Sequence, residues 1–345
     1  VHPVIDPVVF ILEEPQYHRV RAGEVNRFRG VALGAERVTF VRNGQTIAEA
    51  TVDQPCPELA WLVHVPQATT SRFVADVHVE PHDTIEIIAN GVVQFVYDLH
   101  DEERLSTLWE CVTKLPVPPP EIVATTQGGG DVESYRDAIL TSVTTPDVLL
   151  RDSGVDLAKL GDVLDVGCGT GRILAGLHCD SSSRRLVGTD INAELIAWNE
   201  ANLPQVAEWH VTGLYPPLDF PDASFDLIIF ASVLTHLPLD CQEAWMRETL
   251  RLLRKGGAAI VTLHGETHAS LLLDAATYAQ WQQDGHIAFA AAEEGANAYS
   301  TFHTPERARA LFREFASVKL HPRGDVHRGL FPFGGVQDVW VLVAP

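Results

Sequence analysis

The chain has 345 residues, enough for two domains that each bury a core, and 25 Lys and Arg against 46 Asp and Glu give a formal net charge of −21. That acidity argues against a nucleic-acid backbone or an anionic membrane surface as partner, since both would repel it, and its ordinary role is solubility. No apolar run approaches the roughly 20 residues of a membrane helix, and the start, Val1-His2-Pro3-Val4, lacks the basic-then-apolar pattern of a signal peptide.

Residues 1–100 read as strands. Phe73, Ala75, Val77 and Val79 alternate with Arg72, Asp76, His78 and Glu80, apart from the apolar Val74, nearly the period of a half-buried strand. Trp61, Val63 and Val65 alternate with Leu62 and His64 one strand earlier. Asn43-Gly44 and Asn90-Gly91 sit between such runs as hairpin turns. About eight short strands are expected, near 8–12, 27–32, 37–42, 46–52, 59–65, 72–79, 84–89 and 92–98. Their pattern predicts an accessory all-β sandwich, immunoglobulin-like in type.

Residues 101–130 are expected to join two domains, through a helix from Glu102 to Lys114 and a linker. Leu115-Pro-Val-Pro-Pro-Pro120 reads as its semi-rigid part and Gly128-Gly-Gly130 as its flexible part. From 131 to 345 strands alternate with helices, which predicts an α/β domain with a mostly parallel sheet. The strands are placed at 162–166, 185–189, 208–212, 225–230, 258–263, 317–321 and 339–343. The helices are placed at about 131–151, 171–178, 193–202, 240–254, 269–284 and 304–315. Thr304 and Pro305 read as the cap and first turn of the last helix. Five cysteines (Cys56, Cys111, Cys168, Cys179, Cys241), odd in number and without a C-x-x-C pair, argue against a disulfide framework or a zinc knot. A reducing, cytoplasmic setting follows as an expectation.

The chemistry-bearing stretch is Asp165-Val-Gly-Cys-Gly-Thr-Gly-Arg172, where an apolar strand runs into three glycines and then a helix. Such a turn lets a ligand approach the backbone at a helix N-terminus. A dinucleotide fingerprint has its third glycine one residue later, where Arg172 stands. A nicotinamide oxidoreductase is thereby weakened.

The order of features over 131–345 resembles the class I S-adenosylmethionine-dependent methyltransferases, a Rossmann-like fold with a seven-stranded, mostly parallel sheet. Their first motif, (D/E)-x-G-x-G-x-G, is matched by Asp165, Gly167, Gly169 and Gly171. Their acidic residue after the second strand is matched by Asp190. Ser224-Phe-Asp-Leu-Ile-Ile-Phe230, Leu250-Arg-Leu-Leu-Arg-Lys-Gly-Gly257 and Gln337-Asp-Val-Trp-Val-Leu-Val343 match the fourth strand, the turn before the fifth, and the closing antiparallel strand.

The resemblance implies S-adenosylmethionine as cofactor. Asp190 would accept the ribose hydroxyls. The Gly167-Cys168-Gly169 to Gly171 backbone would pass under the methionine part, and Asp165 would hold the loop or meet the amino group. Ile191 packs either on the adenine or in the core. The acidic residue that family members often carry after the third strand is missing from Val211-Thr-Gly-Leu-Tyr215, which leaves Thr212, Gly213 and Leu214 to border the adenine.

His236, just past the fourth strand, is the candidate base, with a loop-capping role as its alternative. Ser232 is expected to line the methyl-transfer cleft. His264 and Glu266 are candidate substrate contacts. The run His264-Gly-Glu-Thr-His268 does not secure a metal geometry, and no metal is expected. Tyr135, a further candidate substrate contact, and Arg136 stand where family members fold a lid over the cofactor, with a plain surface helix as the alternative. The stretch Gly324–Gly335, with His327, Arg328 and Phe331, either borders the acceptor or merely connects strands. Trp198 and Trp209 read as packing residues.

Ser232-Val-Leu-Thr-His-Leu237 followed by Trp245 looks like bacterial enzymes of this class that methylate small molecules or glycans, so a small-molecule or glycan acceptor is expected, at a hydroxyl. The sandwich then selects an acceptor or forms a homodimer. The rival is a carbohydrate- or protein-binding module whose second half holds a nucleoside without methylating.

Overall fold

The computed structural model describes residues 9–14, 20–57, 66–98, 102–127, 132–181, 183–290, 299–322 and 337–345. The expected strand at 59–65, the glycines 128–130 and the stretch 324–335 lie outside them. Two compact units emerge. One holds the described residues up to Thr107 with Glu266–Gln280; the other holds Leu108–Gly265 and the described residues from Trp281 onward, apart from any in 325–332.

The first unit carries two antiparallel sheets. One has the order β1 (Val9–Glu14), β2 (Glu24–Leu33), β5 (Arg72–Val79). The other has β4 (Gln45–Thr51), β3 (Arg37–Arg42), β6 (Thr84–Ala89), β7 (Val92–Asp98). Both Asn-Gly turns adopt positive φ at both residues (50° and 76°, then 50° and 75°), the geometry that matches strand twist in a tight hairpin. Inward residues of the two sheets share one core. Phe28 and Phe73 from one meet Phe40 from the other, with Phe28 and Phe40 5.2 Å apart edge to face.

The second unit begins with α1 (Glu102–Val112, which starts in the first), α2 (Pro120–Gln127) and α3 (Val132–Asp152). The α/β series follows: β8 (Asp162–Val166), α4 (Arg172–Asp180), β9 (Arg185–Asp190), α5 (Ala193–Asn202), β10 (Glu208–Val211), β11 (Phe225–Phe230), α6 (Leu239–Leu252) and β12 (Leu253–Leu263). The sheet runs β10-β9-β8-β11-β12-β16-β15, closed by β15 (Ser317–His321) and β16 (Asp338–Val343). Neighbours from β10 to β12 are parallel, and β16 is antiparallel to both β12 and β15.

These strands read as continuous apolar runs because both faces are covered. Leu227 and Ile229 pack into the layer with α3 and α4, while Ile228 and Phe230 face Trp245 and Met246 of α6. Ala258 and Ile260, then Ala259 and Val261, repeat the split, as do Val339 with Val341 and Trp340 with Leu342. Parallel strands so covered present their C-terminal ends, with the loops that follow, as the ligand-binding edge.

Several expectations need correction. The linker expected up to residue 130 contains a helix, α2: Pro120 fits its first turn, where the missing N–H costs nothing, and Glu121 follows it. The helix expected at 269–284 is two, α7 (Glu266–Leu272) and α8 (Ala275–Asp284), because the Asp274 carboxylate accepts the Thr277 N–H (2.9 Å) and starts a new helix. A hairpin absent from the sequence reading, β13 (His286–Ala290) with β14 (Tyr299–His303), precedes α9 (Pro305–Leu311).

The cysteine pattern also misled. Cys111 of α1 and Cys179 of α4 form a disulfide with Cα atoms 5.6 Å apart. The two lie 68 residues apart, so no local spacing signals the pair, and the packing of both helices on one core face brings them together. The cytoplasmic expectation thereby loses its main support. Among the described residues, no helix is long and apolar enough to cross a membrane.

Candidate active site

The glycine loop sits between the C-terminal end of β8 and α4. Gly167, Gly169 and Gly171 all have positive φ (69°, 54°, 73°), which side chains resist. The Thr189 carbonyl at the end of β9 accepts the N–H groups of Gly167 (2.7 Å) and Cys168 (2.9 Å). A Cβ on Gly171 would lie 2.5 Å from the Trp209 ring, so Trp209 is the packing residue that fixes the loop from below. Its indole donates to the Leu203 carbonyl at 3.1 Å.

Beside the loop opens a cavity of about 380 Å3. Gly167, Cys168, Gly169, Asp190, Ile191, Thr212, Gly213, Leu214, Ser232 and His236 all line it. Asp190 uses one oxygen for the Gly169 N–H (2.8 Å) and the other for the Asn192 N–H (2.8 Å). Each oxygen keeps a lone pair for a further donor. Ile191 is 48% exposed, which removes the core alternative for it.

Four expected site residues of the second unit, Gly171, Tyr135, Asp165 and His264, stand back from the cavity wall. Gly171 underlies the loop. Tyr135 is buried on α3 and donates to the Thr170 carbonyl at 3.3 Å, burial pushing its hydroxyl up to about 12. Asp165 is fully buried with no hydrogen-bond partner on either oxygen. Burial pushes its carboxyl up to about 8, against the pull of the Arg172 guanidinium, and the Asp190 charge adds to the rise. Near neutrality burial therefore favours the uncharged acid at Asp165.

Ser232 holds a left-handed backbone (φ 61°), a position normally left to glycine. Its N–H donates to Thr262 Oγ1 at 2.7 Å, and Gln337 Nε2 donates to its Oγ at 2.9 Å. The His236 ring sits on the turn Leu234–His236 with Nδ1 2.7 Å from the Tyr299 carbonyl. His264 lies deeper, its ring 6.4 Å from that of His236, and its Nε2 is 3.5 Å from Gln337 Nε2. Glu266 belongs to the first unit, where its carboxylate accepts the Tyr278 hydroxyl at 3.5 Å. Among the described residues, no group of three or more His, Cys, Asp and Glu is placed to hold a metal.

The sequence reading missed Thr125 and Thr126 of α2, Arg172 of α4, and Trp245 of α6, all of which line the cavity. The signal for the threonines was the Pro-Glu start of α2. Arg172 was visible as the residue displacing a third dinucleotide glycine, and burial lowers its pKa while Tyr135 and Asp165 raise it.

Residues 163–257 match the model of a methyltransferase domain. Over 144 residues the chain is 31% identical to a malonyl-[acyl-carrier protein] O-methyltransferase of Hahella chejuensis, covering 39% of this chain and 50% of that protein. It is 31% identical over 111 residues to a probable methyltransferase of Aspergillus luteorubrus, covering 29% of this chain and 39% of the relative. The chain thus spans half or less of the length of these curated relatives. A solved structure similar to it is the 1,6-didemethyltoxoflavin-N1-methyltransferase of Burkholderia thailandensis with bound S-adenosylhomocysteine. That likeness has 18% identity and a TM-score of 0.40, over 67% of this chain and 92% of that one.

The cofactor of this domain is S-adenosylmethionine. The residues present fit it. A Cβ on Gly167 would come within 2.5 Å of Val233 Cγ2, so the glycine leaves a cradle that any side chain would fill. Asp190 stands at the end of β9 with lone pairs for a ribose diol. Ile191 offers an apolar face for a purine.

Proposed function

We propose that the chain is a class I methyltransferase that moves the methyl group of S-adenosylmethionine to a hydroxyl of a small-molecule or glycan acceptor, with His236 as general base. The observation that carries this reading is the contact between His236 Nδ1 and the Tyr299 carbonyl. A carbonyl only accepts, so the Nδ1 atom 2.7 Å from the Tyr299 oxygen carries the proton, and Nε2 is the bare nitrogen of the neutral ring. The bound cofactor supplies an electrophilic methyl for in-line displacement. The chain's part is to hold the two reactants in line, exclude water and take the acceptor's proton. Ser232 gives the same wall a hydroxyl for orienting a polar acceptor, and the buried Gln337 amide holds that hydroxyl from behind at 2.9 Å.

Oxygen as the accepting atom is in keeping with the name of the Hahella relative, an O-methyltransferase. The two-sheet unit is read as an immunoglobulin-like module that selects the acceptor or forms a homodimer. Its support is the strand order, three strands β1-β2-β5 against four strands β4-β3-β6-β7.

The test is release of S-adenosylhomocysteine across a panel of hydroxylated small molecules and glycans. With an acceptor that turns over, His236→Gln is expected to lower kcat by about 100-fold or more across pH 6 to 9, with cofactor affinity unchanged. An unchanged rate at saturating substrates over that range would remove His236 from the reaction.

A further inference from the structure

A base is useful only if its proton-accepting nitrogen is fixed, and an isolated imidazole exchanges its proton between both nitrogens. The elements that fix His236 come from β14. Tyr299 and Thr301 lie two residues apart on that strand and so point to the same side of it. Tyr299 gives the carbonyl to the ring. Thr301, fully buried, places its Oγ1 3.2 Å from the Leu234 carbonyl and 3.4 Å from that of Thr235, so its hydroxyl donates to the turn carrying His236.

A second buried side chain completes the clamp. Gln242 of α6 has Nε2 2.9 Å from the Leu234 carbonyl, 2.9 Å from the Leu237 carbonyl and 3.1 Å from Thr301 Oγ1. The two N–H groups of this one amide thus face three acceptors, the carbonyls on both sides of His236 and the threonine hydroxyl. Gln242 Oε1 is buried with no hydrogen-bond partner. Such a group is costly, and an apolar side chain of similar size would fill the space without that cost. On the far side β14 is anchored as well, the His303 N–H donating to the His264 carbonyl at 2.9 Å.

We propose that Thr301 and Gln242 are positioning residues for His236: they lock β14 against the 234–237 turn, so that the Tyr299 carbonyl meets Nδ1 and the ring stays in its Nδ1–H form. The inference rests on the reading of His236 as the base for its purpose, though not for its geometry. Removing the hydroxyl of Thr301 frees the strand to shift, lengthens the Tyr299 contact and returns the ring to a mixture of tautomers.

The experiment is long-range proton–nitrogen NMR of the full chain labelled with 15N-histidine, above the histidine titration, with His236 assigned by its loss in His236→Gln. The wild type is expected to show His236 with a protonated Nδ1 and an unprotonated Nε2. Thr301→Val and Gln242→Met are expected to lose that signature while the other histidine signals stay in place, and Thr301→Ser, which keeps the hydroxyl, to retain it. A wild type without the signature, or one that persists in folded Thr301→Val or Gln242→Met, would overturn the proposal. Should Thr301→Val fail to fold, Gln242→Met decides. The base reading fails separately, through turnover retained by His236→Gln, because the tautomer measurement requires no turnover.

Discussion

Replacing Asp190 with alanine is expected to weaken S-adenosylmethionine binding by about 100-fold, close to 3 kcal/mol. Two effects add. The ribose loses charge-assisted acceptors, each worth roughly 1.5–3 kcal/mol. The loop loses the carboxylate that holds the Gly169 and Asn192 N–H groups at 2.8 Å. Asp190→Asn, which keeps one acceptor, should fall between wild type and alanine. Calorimetric titration measures both, and an alanine variant within about twofold of wild type would take Asp190 out of the cofactor site.

The second large effect is on stability and depends on pH. His303 of β14 is buried with no hydrogen-bond partner on either ring nitrogen. Burial, with His286 and Arg307 adding repulsion, lowers it from the ordinary 6.5 to about 3. The neutral ring is therefore the folded form, and the unfolded chain binds the extra proton. Stability from this group is complete above pH 6.5 and drains away as pH falls from about 6.5 towards 3, at about 1.4 kcal/mol per unit. By pH 5 the loss is about 2 kcal/mol. Urea unfolding should show this drop in the wild type and a flatter profile in His303→Phe. Equal slopes in the two would mean that His303 is solvated or already charged. Since β14 also carries Tyr299 and Thr301, its acid sensitivity falls on the strand that holds His236.

Much of the second unit was legible because its physics is local. Strands such as Phe225–Phe230 are buried on both faces and so appear as short apolar runs, and the glycine loop needs positive φ at positions only glycine fills easily. Asp190, Ile191 and His236 could be placed because the first ends a strand, the second follows it, and the third lies on the short turn after another, all at the sheet's ligand edge.

The rest was set by distant partners. Cys111 and Cys179 meet only because α1 and α4 share a core. The hairpin strands His286–Ala290 and Tyr299–His303 mix polar and aromatic residues, and the second also contacts Leu234, Thr235 and His264, far away in the sequence. Proline misled at Pro120, where the same residue that stiffens a linker also starts a helix. Asp165 lay in the expected motif, yet its depth behind the loop is a matter of packing that spacing does not show.

The measurement that tests the account most directly is calorimetry of the full chain with S-adenosylmethionine, S-adenosylhomocysteine and NAD in turn. The first two are expected to bind saturably at one site per chain and to lose that binding together in Asp190→Ala, and NAD is expected not to bind. Binding of NAD, or no binding of either S-adenosyl compound, would contradict that expectation.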